Sequence, residues 1–238
     1  DTSIGYQWNR IAIGYSIGIS FRSFLDRIDI VPKISRYTFE IQIPLYAADG
    51  VVEDIYEIQN QGILAAGADV GIDFVAGPSE IVLVANAGNP TWIAADMLAQ
   101  CEHDVEARAI LLTTSTTLAT EVQAQVALQL LTLPTADVAS LAVANNSAII
   151  VCQSVEEIIE LVNEIAPEHL AIPDESLPVD SLVDKIVNAG SIFMGRFSTE
   201  AAGDYASGPN HVLPTSGVAA LRGGLSVNDF VKVITTQS

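Results

Sequence analysis

Three histidines stand in this 238-residue sequence, each in a polar cluster between apolar runs. His103 follows Gln100 by three residues in Leu98-Ala-Gln-Cys-Glu-His103, near the expected end of a helix. That spacing predicts an amide and an imidazole on one helical face, from which two ligands can reach one ion. It equally suits an exposed helix end. His169 follows Glu168 directly in Ala166-Pro-Glu-His-Leu170, just beyond another expected helix. Adjacent side chains diverge, so carboxylate and imidazole can serve two separate proton transfers; the other reading is an imidazole placed favourably against a helix macrodipole. His211 shares the loop 203–215 with Asp204, where hydrogen bonds that pin the loop are the alternative. Gln100, His103 and Asp204 together make an N/O donor set suited to zinc or a similar ion.

Other familiar chemistry is missing from the chain. It contains no Walker A loop, no H-E-x-x-H and no G-x-S-x-G elbow. No complete G-x-G-x-x-G occurs, and Gly14 and Gly18 alone do not make a dinucleotide loop.

The elements that must position these residues are regular from about residue 70. Ile81–Ala85 is a short β-branched apolar run, as expected of a strand buried on both faces. Asn89-Pro90 supplies an N-cap and a first-turn proline for a helix running through about His103. The pattern then predicts a strand over Ala109–Thr113, a helix over Thr114–Leu131 ended by Pro134, and a strand over Ala148–Val151. A helix from Ser154 to Ile165 opens on a capping box, Ser154 with Glu157. A further helix over about Leu177–Asn188 precedes a strand over Ser191–Phe193. Alternating strands and helices predict an α/β fold with a mostly parallel sheet flanked by helices, Rossmann-like without an intact glycine-rich loop. In such sheets ligands gather at element ends, which is where all three imidazoles are expected.

Outside this block the patterns weaken. Residues 37–45 alternate like a strand, and Ile55–Ala68 reads as a strand–helix step. Residues 197–217, rich in Ser, Gly and Pro without periodicity, read as a long ordered loop, a kind of segment that commonly carries function.

Composition narrows the function classes. The chain has 29 acidic and 10 basic residues, a formal charge of -19. The first 50 residues hold five of each sign, so the rest carry the whole excess, with no Lys or Arg between Arg108 and Lys185. Without clustered cations a nucleic-acid partner and an anionic membrane surface are both excluded. No window approaches 18 consecutive apolar residues, which excludes a helical membrane span, while an apolar half of the residues excludes disorder. Cys101 and Cys152, both in apolar runs, read as small core residues of a reduced compartment rather than a disulfide framework. No signal peptide is visible, and the missing initial Met suggests a fragment or a processed chain.

Several strings together resemble the histidinol dehydrogenase family: Ala76-Gly-Pro-Ser-Glu80, Leu98-Ala-Gln-Cys-Glu-His103, Ala166-Pro-Glu-His-Leu170, Asn188-Ala-Gly-Ser-Ile-Phe193, Gly224-Leu-Ser-Val-Asn-Asp-Phe230 and above all Asp204–Pro214. They recur in the family's order and nearly its spacing across residues 70–235. The resemblance implies oxidation of L-histidinol to L-histidine through the aldehyde, with two NAD molecules and one zinc ion, in the last step of histidine biosynthesis. It implies that Gln100, His103 and Asp204 are three of four zinc ligands that also bind substrate, that Ser79 and His211 contact substrate, that His169 is the general base, and that Glu168 activates water at the aldehyde stage. The residue chemistry is compatible: hydride loss from an alcohol leaves a proton for imidazole, hydration of an aldehyde needs a second acid–base group, and zinc can orient substrate nitrogens.

The same resemblance implies a homodimer, with a C-terminal tail that reaches the partner and before which this chain stops, and a cytoplasmic location, or the plastid stroma in a plant-like source. Residues 71–238 then form the α/β domain with the substrate and metal motifs, and residues 1–70 a partial cofactor-side segment. There Gln7–Tyr15 is similar to a cofactor-contacting stretch, pointing to Tyr15. Gln59-Asn-Gln-Gly62 stands where the family has Gly-Gly-Ala-Gln, pointing to Gln61, and the family's Gly-Pro-Gly-Asn loop is missing between Ala68 and Gly71. Two other functions fit the donor set: a non-catalytic zinc- or imidazole-binding relative that has lost NAD, and a zinc hydrolase with Glu168 as base.

Overall fold

The structure, a computed structural model, describes residues 11–13, 45–46, 52–53, 77–174 and 176–237. The expected elements over 37–45 and Ile55–Ala68 lie outside the described residues except at β2 (Leu45–Tyr46), which pairs antiparallel with β3 (Val52–Glu53).

Residues 77–194 build the sheet. Its strands are β4 (Glu80–Val84), β5 (Arg108–Thr113), β6 (Ala148–Val151), β7 (His169–Ile172) and β8 (Ser191–Met194), joined at one edge by β1 (Ile11–Ile13). The order is β1-β6-β5-β4-β7-β8 with every pairing parallel, so β4 is central and the chain reverses direction across the sheet between β4 and β7.

Alternation along the strands sorts the apolar side chains into two cores. Ile81, Leu83, Leu111, Ile149 and Phe193 pack beneath α1 (Pro90–Cys101), α2 (Thr116–Leu130) and α3 (Ala136–Asn146). Val82, Val84, Ile110, Leu112, Ile150, Leu170 and Ile172 face α4 (Val155–Ile165) and the short α5 (Val179–Val183). This three-layer α/β arrangement is the expected class. Both cysteines are free and buried, as expected, and burial pushes their thiols up to about 11 and about 12.

The caps that the sequence announced are present. The Asn89 side chain accepts from the Thr91 N–H ahead of Pro90, and Ser154 accepts from the Glu157 N–H. The Glu157 carboxylate returns to the Gln153 N–H, one residue earlier than in the standard reciprocal box.

Several boundaries differ from expectation. The α1 helix ends at Cys101, leaving His103 beyond its C-cap. α3 and β7 were not expected at all, and residues 200–205, read as loop, form α6 (Glu200–Tyr205). The helix expected over Leu177–Asn188 shrinks to five residues because Asn163 of α4 takes the backbone groups it needed. The Asn163 side chain donates to the Lys185 carbonyl and accepts from the Val187 and Asn188 N–H groups. No helix among the described residues is long and apolar enough to cross a membrane.

Central strand burial sets a stability expectation. Leu111 is fully buried, so Leu111→Ala should cost about 2–5 kcal/mol in urea unfolding. Leu131→Ala, at an 80 % exposed position, should stay within about 0.5 kcal/mol.

Candidate functional site

Polar residues gather where the strands begin. Glu80 opens β4 and His169 opens the neighbouring β7, with Ile81 and His169 in register. Glu168 reaches this edge because α4 terminates at Ala166 in the left-handed conformation (φ 49°), and Pro167 then redirects the chain. Beside it runs the start of β8, so close that a Cβ on Gly190 would stand 2.5 Å from the Glu168 carbonyl oxygen.

The main chain of Glu80 binds both neighbours. Its N–H donates to Glu168 Oε2 at 3.0 Å, and its carbonyl lies 3.1 Å from His169 Nδ1. A carbonyl only accepts, so Nδ1 carries the hydrogen and the neutral ring keeps its lone pair at Nε2. Glu168 Oε2 is 3.6 Å from Nδ1, and Glu200 Oε1 stands 3.9 Å from Nε2. Glu168 and His169 are buried, and the Phe193 ring, centred 6.0 Å from the imidazole, walls the pair.

The Glu80 side chain works in the opposite direction, towards the edge. Its Oε2 accepts from Arg108 Nη1 at 3.2 Å and its Oε1 from the Ser216 N–H at 3.0 Å. Burial pushes this carboxyl up, against the pull of Arg108 and the backbone donors. The Gly77 N–H donates to Thr215 Oγ1, and a Cβ on Gly77 would stand 2.6 Å from that oxygen. These ties hold the loop bearing His211 to the edge carrying Ser79 and Glu80.

The remaining expected residues are placed unequally. Gln100, in the last turn of α1, is fully buried, and neither side-chain amide atom has a partner in the protein. An unpaired buried amide costs about 1–3 kcal/mol per group, so it is a strong sign of a ligand position. His103 is exposed beyond the helix, its N–H on the Gln100 carbonyl, so the expected shared helical face is not formed. Asp204 falls in α6 by its backbone, and its side chain lies outside the described residues. Among the described residues no three His, Cys, Asp or Glu side chains cluster as a metal site. The orphaned amide, taken with the imidazole of His103 and the carboxylate of Asp204 as donor types, nevertheless fits the N/O chemistry of zinc. Ser79 is half-buried before β4 and His211 is exposed. Tyr15 and Gln61 lie outside the described residues.

Sequence reasoning missed Glu80, Arg108 and Glu200 as members of the cluster. The first two were detectable as opposite charges opening two apolar strands, which pair in register. Glu200 carried no such signal, standing in a segment without periodicity. The expected ligand edge also differs: His169 begins its strand, whereas open sheets commonly bind at strand carboxyl ends. That opposite edge has a crevice of about 420 Å³ lined by residues including Trp92, Asp96, Asp174 and Arg196. Although burial opposes it, hydrogen bonds from Ser176, Asn86 and Ala87 hold the Asp174 carboxyl below its ordinary value, so this side chain serves the fold.

Comparison with known proteins agrees with the strings in the sequence. The family model described as histidinol dehydrogenase matches residues 60–238. Histidinol dehydrogenase of Bacillus cereus is 52% identical over 164 residues, 68% of this chain and 38% of that protein. The Streptococcus mutans enzyme is 48% identical over 166 residues, 69% of this chain and 38% of the relative. A crystal structure of histidinol dehydrogenase from Elizabethkingia anophelis superposes with a TM-score of 0.70 at 42% identity, covering 76% of this chain and 41% of that one. The chain thus spans about two fifths of the length of the relatives it matches.

The Glu80–Arg108 pair generates a pH-dependent expectation. Arg108→Met strands a buried carboxylate and should cost about 3 kcal/mol at pH 7. Because the folded Glu80 carboxyl is already raised, charge burial costs nothing below the ordinary carboxylate range and grows as pH rises through the folded value. The deficit of the variant in urea unfolding should therefore be largest near pH 7 and shrink towards pH 4.

Proposed function

Because this chain belongs to the histidinol dehydrogenase family, we propose that the protein containing it oxidises L-histidinol to L-histidine through the aldehyde, with NAD as hydride acceptor and one zinc ion. The observation that carries this reading is the buried Glu168–His169 pair, aimed by the main chain of Glu80.

In this proposal His169 Nε2 takes the hydroxyl proton as the adjoining carbon gives up hydride. A buried imidazole with Nδ1 already committed can accept at Nε2 alone, which fixes where the alcohol must lie. Glu168 acts at the second stage, taking a proton from the water that adds to the aldehyde. Its carboxylate is steadied by the Glu80 N–H, so its position does not depend on substrate. Ser79 and His211 contact the substrate from the two segments tied together by Gly77, Thr215, Glu80 and Ser216.

Gln100, His103 and Asp204 are proposed to hold zinc, Gln100 through an amide that has no partner in the protein. When bound, the ion supplies a fixed positive charge that orients substrate nitrogens. Gln100, His103 and Asp204 thereby also become substrate-positioning residues. Tyr15 and Gln61 are proposed on the cofactor side, within residues 1–70, while residues 71–238 form the substrate and metal domain. A homodimer and a cytoplasmic (or, in a plant-like source, plastid) setting complete the proposal.

The test is formation of NADH from L-histidinol by the purified protein supplied with zinc and NAD. Two NADH per histidinol are expected, and His169→Gln should lower kcat by about 10²–10⁴-fold near neutral pH. Glu168→Gln should retain the first oxidation better than the second. Absence of NADH from the unsubstituted protein would overturn the reading.

A further inference from the structure

The imidazole of His169 has a second carboxylate beside it, on the side opposite Glu168. Glu200 opens α6, and its Oε1 stands 3.9 Å from Nε2, with the two side chains 10 % and 6 % exposed. That distance is too long for a hydrogen bond and lies at the outer edge of an ion pair, where the Coulomb interaction still acts. The helix is seated against the ring that walls the imidazole, since a Cβ on Gly203 would lie only 2.7 Å from Phe193 Cε1.

We propose that Glu200 is a positioning residue that stabilises the imidazolium of His169 after Nε2 has taken a proton from the substrate hydroxyl. This rests on the reading of His169 as base. The two nitrogens have different duties. Nδ1–H is occupied by the Glu80 carbonyl, with Glu168 at 3.6 Å on that side. Nε2 is the atom whose charge state changes, and Glu200 is on its side. In the neutral state the Nε2 lone pair faces a carboxylate oxygen, an unfavourable arrangement. Proton uptake turns that opposition into attraction. The step balances simply: the substrate O–H bond breaks, the Nε2–H bond forms, and hydride leaves the carbon for an oxidised nicotinamide. Glu200 forms and breaks no bond.

Among the described residues, Glu168 comes from the same turn, Glu80 on β4 is neutralised by Arg108 on β5, and β8 presents the uncharged Phe193 ring. The α6 side chains of Asp204 and Tyr205 lie outside the described residues. An opposite charge within about 4–6 Å moves a titration by roughly 1–3 units, and a neighbour already shared with Glu168 belongs at the lower end.

The experiment is an NMR titration of the protein's imidazoles, with the His169 signal assigned by its loss in His169→Gln. Glu200→Gln should lower the His169 midpoint by about one unit, with the His103 and His211 midpoints unmoved. Glu200→Asp, which keeps the charge on a shorter arm, should lie between Glu200→Gln and the unsubstituted protein. In the NADH assay the limb of the pH profile that rises with pH should move to lower pH by the same amount. An unmoved His169 midpoint in a folded Glu200→Gln protein overturns the inference, as do equal shifts for Gln and Asp. A shifted midpoint in a protein that never forms NADH upholds this electrostatic coupling while removing the dehydrogenase reading.

Discussion

Two hydrogen bonds from one residue's main chain govern the geometry of the cluster. The Glu80 N–H holds the Glu168 carboxylate and the Glu80 carbonyl orients the His169 ring. Both groups belong to the first residue of the central strand, which is hydrogen-bonded to β5 on one side and β7 on the other. Buried main-chain groups must be paired, so withdrawing the Glu168 carboxylate would cost the Glu80 N–H its side-chain acceptor. The proposed base is thereby fixed in one tautomer by a main-chain carbonyl, with the Glu168 carboxylate 3.6 Å from the same nitrogen.

The Glu80 side chain answers to a different set of partners. It pairs with Arg108 and captures the Ser216 N–H, bringing in a loop more than a hundred residues away. A single position thus connects the imidazole, the neighbouring strand and the loop that bears His211. This division of labour places the polar cluster at the strand amino ends, with Gln100 arriving from the C-terminal turn of α1 because that helix runs back across the sheet.

How much of this was legible in the sequence depended on the kind of signal. Four β-branched or leucine-rich strands and the Asn89 and Ser154 caps rest on local patterns, and the structure reproduces those strands and the helices behind them. β7 escaped because four residues after Pro167 are too few to show a period. α3 escaped because its Ala- and Asn-rich run has little contrast between faces. The shortened α5 could not be foreseen, since its terminator, Asn163, acts from another element. At the site, the Glu168–His169 dipeptide was visible as a chemical pair, but its aim comes from a main chain 88 residues earlier. Gln100 was recognisable by type, whereas its complete burial and empty amide required the packed fold.

The contact between Gly203 and Phe193 gives the site a steric dial. Helix α6 rests on the aromatic wall with no room for even a methyl group, so the bulk at position 203 sets how far the helix stands from the sheet. Since Coulomb attraction changes with separation, a single carbon there adjusts the field at the ring without altering any charged residue. Side-chain size at position 203 thus acts on the imidazole while every acid and base of the cluster stays intact.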